Sequence, residues 1–219
     1  MVTDFAAYVI PGQEACTGFD DARAQLHMAL DAGVQRLVAV APFDIGDEPY
    51  KMFRRRMQPG VEFLLRRDFK YAPEDIRIAA VAVARKELLE LEELEALCIS
   101  GTKTLLLELP LARKNPEITE LPEKLRRLRG VNPVIIHAES GRVAEEFFAR
   151  GIPCCFNAGA FVSIFSGKKM LALAEKGAVA AVASEIKGLR DGYADFKRAA
   201  AALAPYMDSI NNSMNELLK

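Results

Sequence analysis

Two carboxylates and an imidazole, Glu108, His137 and Glu185, stand at or close to the carboxyl ends of separate apolar runs in this chain of 219 residues. In barrel proteins the working side chains gather at such strand ends, so these three are expected to converge on one pocket. With Glu14 and Glu139 they offer oxygen and imidazole ligands of a kind that suits Mg²⁺ or Mn²⁺ better than zinc. The chemistry would be metal-assisted hydrolysis, but a two-metal clamp holding cations about 3.5–4 Å apart needs more ligands than these. Only two histidines exist, His27 and His137, and His27 lies within an amphipathic helical pattern. A multi-histidine cage is excluded, which leaves at most one reduced site on Glu14, Glu108, His137 and Glu185. Lys187 suggests another use of the same carboxylates, an ion pair of Glu108 with Lys187 or a nearby arginine, with His137 as a hydrogen-bonded core residue.

Other chemistries find less support. No G-x-S-x-G elbow and no C-x5-R pattern occurs. The four cysteines, Cys16, Cys98, Cys154 and Cys155, include no C-x-x-C pair, so a structural zinc site has no basis. They read as small buried hydrophobes; Cys16, in a loop after the first strand, has no cationic neighbour placed to activate it. Cationic candidates are plainer. Gly167-Lys168-Lys169, Arg142 and Arg190 would form a rim for phosphate, Arg142 at a helix start where amides also favour anions; solvated helix surfaces explain them as well. Arg54–Arg56 and Arg66–Arg67, interleaved with Phe53, Phe63, Phe69 and Tyr71, have the composition of a surface for RNA or an acidic partner, with Arg55 and Arg56 its central charges. A charged helix face over an apolar seam is the alternative.

The elements that must position these groups alternate along the chain. Apolar strand-like runs are Thr3–Ile10, Arg36–Ala41, Ile76–Ala84, Thr104–Leu109, Pro133–His137, Pro153–Asn157 and Ala178–Ser184. Most are continuous rather than alternating, as in strands buried on both faces. Between them lie helical patterns at Asp20–Ala32, Lys86–Leu97, Glu117–Arg129, Ser140–Arg150, Val162–Lys176 and Tyr193–Leu203, with a last segment at Tyr206–Leu218. Gly33, Gly130, Gly151 and Gly177 follow helices and precede strands, as caps do. The pattern predicts a parallel sheet wrapped by helices, either a barrel or an open doubly wound sheet. Asp44–Pro73 breaks the rhythm and reads as a helical hairpin or a long loop over the barrel mouth.

The length suits a single domain over 1–219. Net charge is −1, which gives no global electrostatic case for nucleic acid. No apolar run is long enough to span a bilayer, and the amino terminus lacks the pattern of a secretory signal. The expectation is a cytoplasmic protein with no membrane insertion.

Short blocks in order add a resemblance. They are Asp4-x-Ala6-x-Tyr8 with Pro11, Gly12 and Glu14; Ala41-Pro42-Phe43; Leu106-Leu107-Glu108-Leu109-Pro110; Ile135-Ile136-His137-Ala138-Glu139-Ser140; Asn157-Ala158-Gly159 with Gly167-Lys168-Lys169; and Ser184-Glu185-Ile186-Lys187. The series resembles the bacterial manganese-dependent tyrosine phosphatases of the polymerase-and-histidinol-phosphatase (PHP) superfamily, hydrolases tied to capsular polysaccharide biosynthesis. The resemblance covers nearly the whole chain and implies a distorted (β/α)7 TIM-like barrel, self-association into a homo-oligomer and a phosphorylated or acidic peptide, such as a tyrosine-kinase tail, as partner. It also implies ligands: Glu108 and His137 keep the family's residue type, and Glu14 and Glu185 keep a carboxylate. Ala6, Tyr8, Phe43 and Lys187 stand where the family carries histidine. In a strand, residues two apart share a face, so a His-x-His pair would aim two imidazoles at one ion where this chain has Ala6 and Tyr8. The expectation is a metal-depleted pseudo-phosphatase with a binding or regulatory role. The alternatives are a phosphoesterase with a reduced one-metal Mn or Mg site, and a partner- or RNA-binding barrel using Arg54–Lys70.

Overall fold

A computed structural model describes residues 2–66, 70–110, 116–136, 141–186, 188 and 193–219. Among the described residues seven strands are found: β1 (Val2–Ala7), β2 (Val34–Phe43), β3 (Ile76–Val83), β4 (Thr104–Glu108), β5 (Asn132–Ile136), β6 (Cys155–Asn157) and β7 (Ala181–Ala183). The helices are α1 (Phe19–Asp31), α2 (Tyr50–Leu64), α3 (Pro116–Thr119), α4 (Leu121–Arg129), α5 (Gly141–Ala149), α6 (Gly159–Val162), α7 (Gly167–Glu175), α8 (Ala194–Ala202) and α9 (Met207–Leu217). Strands β1 to β5 form one parallel sheet in sequence order, and β6 pairs with β7, also in parallel. A parallel bridge from Ile135 to Cys154 brings β6 to the edge of β5. On the other side β7 lies against β1, and the Glu185 amide donates to the Ala6 carbonyl at 3.0 Å. The sheet is therefore curled, in keeping with a distorted TIM-like barrel.

The strands are buried along most of their length, β4 from Thr104 to Leu107 and β2 from Leu37 to Ala41, as their unbroken apolar runs require. Phe5, Phe43, Phe147 and Phe156 are among the largest fully buried side chains. Gly33, Gly130, Gly151 and Gly177 all take positive φ after helices, which is the cap conformation expected of them. Among the described residues no helix is long and apolar enough to cross a membrane.

Three stretches differ from the sequence pattern. Lys86–Leu97 forms two 3₁₀ turns, Lys86–Leu89 and Leu94–Leu97, rather than one helix. The Arg129 guanidinium donates to the Leu89 and Leu91 carbonyls at 2.6 and 2.7 Å; in an α-helix those acceptors would serve the amides four residues on. Glu117–Arg129 is divided into α3 and α4, because Pro122 supplies no amide hydrogen to carry the ladder through. The predicted Val162–Lys176 helix starts earlier and breaks at Ser163, whose ψ of 134° is extended.

Among the described residues of Asp44–Pro73 one α-helix is found, α2, rather than a helical hairpin or a bare loop. It seats on the exits of β1 and β2: Phe53 meets Phe43 with ring centroids 4.9 Å apart, and Gly60 touches Ile10 and Pro11. A Cβ added to Gly60 would lie 2.4 Å from the Pro11 carbonyl oxygen and 2.9 Å from Ile10 Cγ2. Helix propensity alone favours alanine over glycine by about 1 kcal/mol, yet the collision is with backbone, and overpacking typically costs about 1–3 kcal/mol. Gly60→Ala is expected to lose stability in urea titration. A stabilised variant would show that α2 does not rest on Pro11.

Candidate functional site

The last strand leads into a buried polar cluster that starts from Asp4. This carboxylate sits in the apolar strand β1 and is fully buried. Its Oδ1 accepts the Ser184 amide at 2.8 Å and the Ala6 amide at 3.4 Å. Its Oδ2 accepts the Ser184 hydroxyl and, at 2.8 Å, the Tyr193 hydroxyl. Burial raises the Asp4 pKa from 3.8 to about 6, against the lowering effect of those donors. The cluster ties β1 to the segment after β7, so it holds Glu185 in place. The sequence motifs contain Asp4 and Ser184 but do not indicate this role or Tyr193; the signal for it in the sequence is a lone acid inside an apolar strand.

Glu185 is buried, and its φ of 50° is the left-handed conformation, uncommon for a residue with a side chain and often found at functional sites. Asn157, at the end of β6, donates from Nδ2 to Glu185 Oε2 at 2.7 Å and accepts the Gly159 amide on Oδ1 at 2.7 Å. The two contacts orient the amide and one carboxylate oxygen together. Glu108 ends β4 half-buried. Tyr8, just past β1, is buried, and its phenol is pushed well above the usual range by burial and then by the Glu185 and Glu108 carboxylates. Glu185 and Glu108 thus both act electrostatically on Tyr8, a residue read from the sequence only as a lost ligand.

Other sequence candidates are dispersed. Glu14 is exposed on a turn closed by the Gln13–Cys16 bridge. Among the described residues no three His, Cys, Asp or Glu side chains come together as a metal-binding group, so Glu14 does not join Glu108 and Glu185. His137, Glu139, Lys187 and Arg190 lie outside the described residues. Phe43 is buried in an aromatic group with Phe53 and Tyr50, and Ala6 is fully buried. Arg56 pairs with Glu48 and lies over the Phe53 ring at 5.6 Å. Arg55 and Arg142 are exposed. All four cysteines are free and buried; burial, with Asp21 nearby, pushes the Cys16 thiol up to about 12, the opposite of what a nucleophile needs. A cavity of about 540 Å³ opens at the amino ends of β2 and β3, lined by Arg36, Asp75, Arg77 and Asn215, away from Tyr8.

No protein-family model matches the chain, and no curated protein sequence matches it. A solved structure does, from work on YwqE of Bacillus subtilis and CpsB of Streptococcus pneumoniae, described as unique metal-dependent tyrosine phosphatases. The TM-score is 0.74 at 18% identity, over 93% of this chain and 87% of the other. The fold is that of these tyrosine phosphatases.

The metal those phosphatases depend on can be set against the side chains described here. Glu108 and Glu185 would serve as oxygen ligands for a hard cation. Buried Ala6 and Phe43 supply no donor, and the Tyr8 phenol is held protonated. Among the described residues this set does not fit a two-metal clamp of the phosphoesterase kind.

Proposed function

We propose that this chain is a PHP-type barrel that binds a phosphorylated or acidic peptide, such as a tyrosine-kinase tail, and hydrolyses it little or not at all. The observation that carries this reading is the filling of ligand places by packed side chains: Phe43 is locked into an aromatic group with Phe53 and Tyr50, and Ala6 is fully buried. Fold similarity to tyrosine phosphatases supports the peptide as ligand class. A regulatory role, a cytoplasmic and capsule-associated setting and assembly into a homo-oligomer belong to the same proposal.

A second reading has one specific observation in its favour. Glu185, buried, at positive φ and oriented by Asn157, stands with Glu108 beside Tyr8, an arrangement more costly than a merely structural role requires. With His137 it would form a reduced site for one Mn²⁺ or Mg²⁺, which would polarise a phosphoryl oxygen when bound.

Calorimetric titration with Mn²⁺, run beside a phosphotyrosine-peptide phosphatase assay on the wild type and on Glu108→Gln and His137→Ala, separates the two. The expected outcome is no Mn²⁺ binding at millimolar metal and no turnover that either substitution reduces. Submillimolar binding lost in both variants, with turnover falling by roughly a hundredfold or more, would replace the binding reading with the one-metal enzyme.

A further inference from the structure

Ile164 and Phe165 form a tip between α6 and α7 and are 95% and 99% exposed, far beyond what an isolated surface apolar residue needs explaining. The tip is held in shape. The Gly167 amide donates to the Ser163 carbonyl at 2.9 Å, the Ser163 amide to the Gly159 carbonyl at 3.1 Å, and the Ser166 hydroxyl to the Ala160 carbonyl at 2.9 Å. Gly167 itself is pressed onto Phe161, whose carbonyl oxygen an added Cβ would meet at 2.7 Å. Two large apolar side chains are thus presented to solvent on a loop whose backbone is tied by hydrogen bonds, which reduces the backbone ordering that binding a partner would cost.

Charge and position narrow the partner. Lys168 and Lys169 follow the tip and are exposed; among the described residues neither takes part in an ion pair. Arg142 is exposed on α5, which packs against α7. The tip follows Asn157 and so belongs to the same end of the barrel as Glu185. We propose that Ile164, Phe165, Lys168 and Lys169 are the docking surface for an acidic polypeptide with apolar side chains next to its acidic groups. This rests on the peptide-binding reading above and extends it: the tip selects the polypeptide, while the barrel mouth takes only its phosphorylated or acidic group.

The test measures binding of two probes to the full chain: free phosphotyrosine, and a synthetic peptide in which phosphotyrosine is flanked by glutamates and leucines. In Ile164→Ser/Phe165→Ser, affinity for the peptide should fall roughly tenfold or more, the range that separates anchors from neutral contacts, with free phosphotyrosine unchanged. Lys168→Glu/Lys169→Glu should weaken the same peptide and flatten its salt dependence. These residues are solvent-exposed, so the variants are expected to keep the wild-type circular dichroism spectrum and melting temperature. Peptide affinity unaltered by the tip variant overturns the docking surface and leaves the mouth reading standing. Tip-dependent peptide binding with no binding of free phosphotyrosine keeps the docking surface and removes the mouth reading. Failure of the wild type to bind the peptide, or a tip variant that loses only self-association in sedimentation, overturns the proposal in favour of no partner or of a second copy.

Discussion

Replacing Phe43 with alanine is expected to lower stability by about 3–5 kcal/mol, the usual cost of deleting a buried phenyl ring. Phe43 is 1% exposed and holds Phe53 at 4.9 Å and Tyr50 at 6.4 Å between ring centroids. Its removal leaves a void between β2 and α2 and also unseats the first turns of that helix. For a chain of this size each kcal/mol is worth roughly 2–4 °C, so the melting temperature should fall by roughly 6–20 °C. The informative companion is Phe43→His, which places an imidazole where the resemblance implies a histidine ligand. Tyr50 and Phe53 pack there through their rings, so the imidazole would be buried without a described partner, at about 1–3 kcal/mol beyond the lost packing. The expected result is a less stable protein with no gain in Mn²⁺ affinity. A Phe43→His variant as stable as the wild type that takes up Mn²⁺ would show that the site is a metal centre lacking one ligand, and the binding reading would fall.

A second large effect is set by Asp4. Its carboxyl titrates at 3.8 in an ordinary setting and at about 6 in the folded protein, where burial outweighs the donors from Ser184 and Tyr193. Between those values the native state holds a proton that the unfolded chain has released, so stability must fall as pH rises. The contribution is fully present below about pH 3.8 and is lost as pH passes through about 6. At 1.36 kcal/mol for each pH unit of separation, the full excursion is about 3 kcal/mol. Urea titrations of the wild type and Asp4→Asn across this range isolate the effect, since other groups titrate alike in both. The stability difference, wild type minus variant, should decline by about 3 kcal/mol between pH values well below 3.8 and well above 6. A difference that stays constant with pH would mean that Asp4 titrates alike in the folded and unfolded chain, and so is not raised by burial. The titration also bears on the site, because the Ser184 contacts that Asp4 accepts fix the backbone that turns Glu185 into positive φ.

Much of the architecture was legible along the chain. Apolar runs separated by amphipathic stretches and capped by glycines at 33, 130, 151 and 177 indicate helices covering a parallel sheet, because burial on both faces imposes continuous rather than alternating hydrophobicity. One place where that reading slipped has a tertiary cause. Lys86–Leu97 has a good helical composition, but Arg129, some forty residues away in sequence, takes the carbonyls a helix would have used. Local propensity carries no information about a tertiary competitor.

The candidate site divides in the same way. Residue types alone determined that a multi-histidine metal cage is impossible, since the chain holds only His27 and His137, and that Glu108 and Glu185 sit at strand ends. They could not determine what replaced the missing imidazoles. Only the tertiary structure shows Phe43 sealed among aromatic rings, Tyr8 buried within electrostatic reach of Glu185 and Glu108, and Asn157 directing Glu185. These are contacts between strands distant in sequence, and their energies arise from burial and distance rather than from spacing along the chain. The same holds for Ile164 and Phe165: as letters they continue a helical pattern, and only the break at Ser163 places them in solvent.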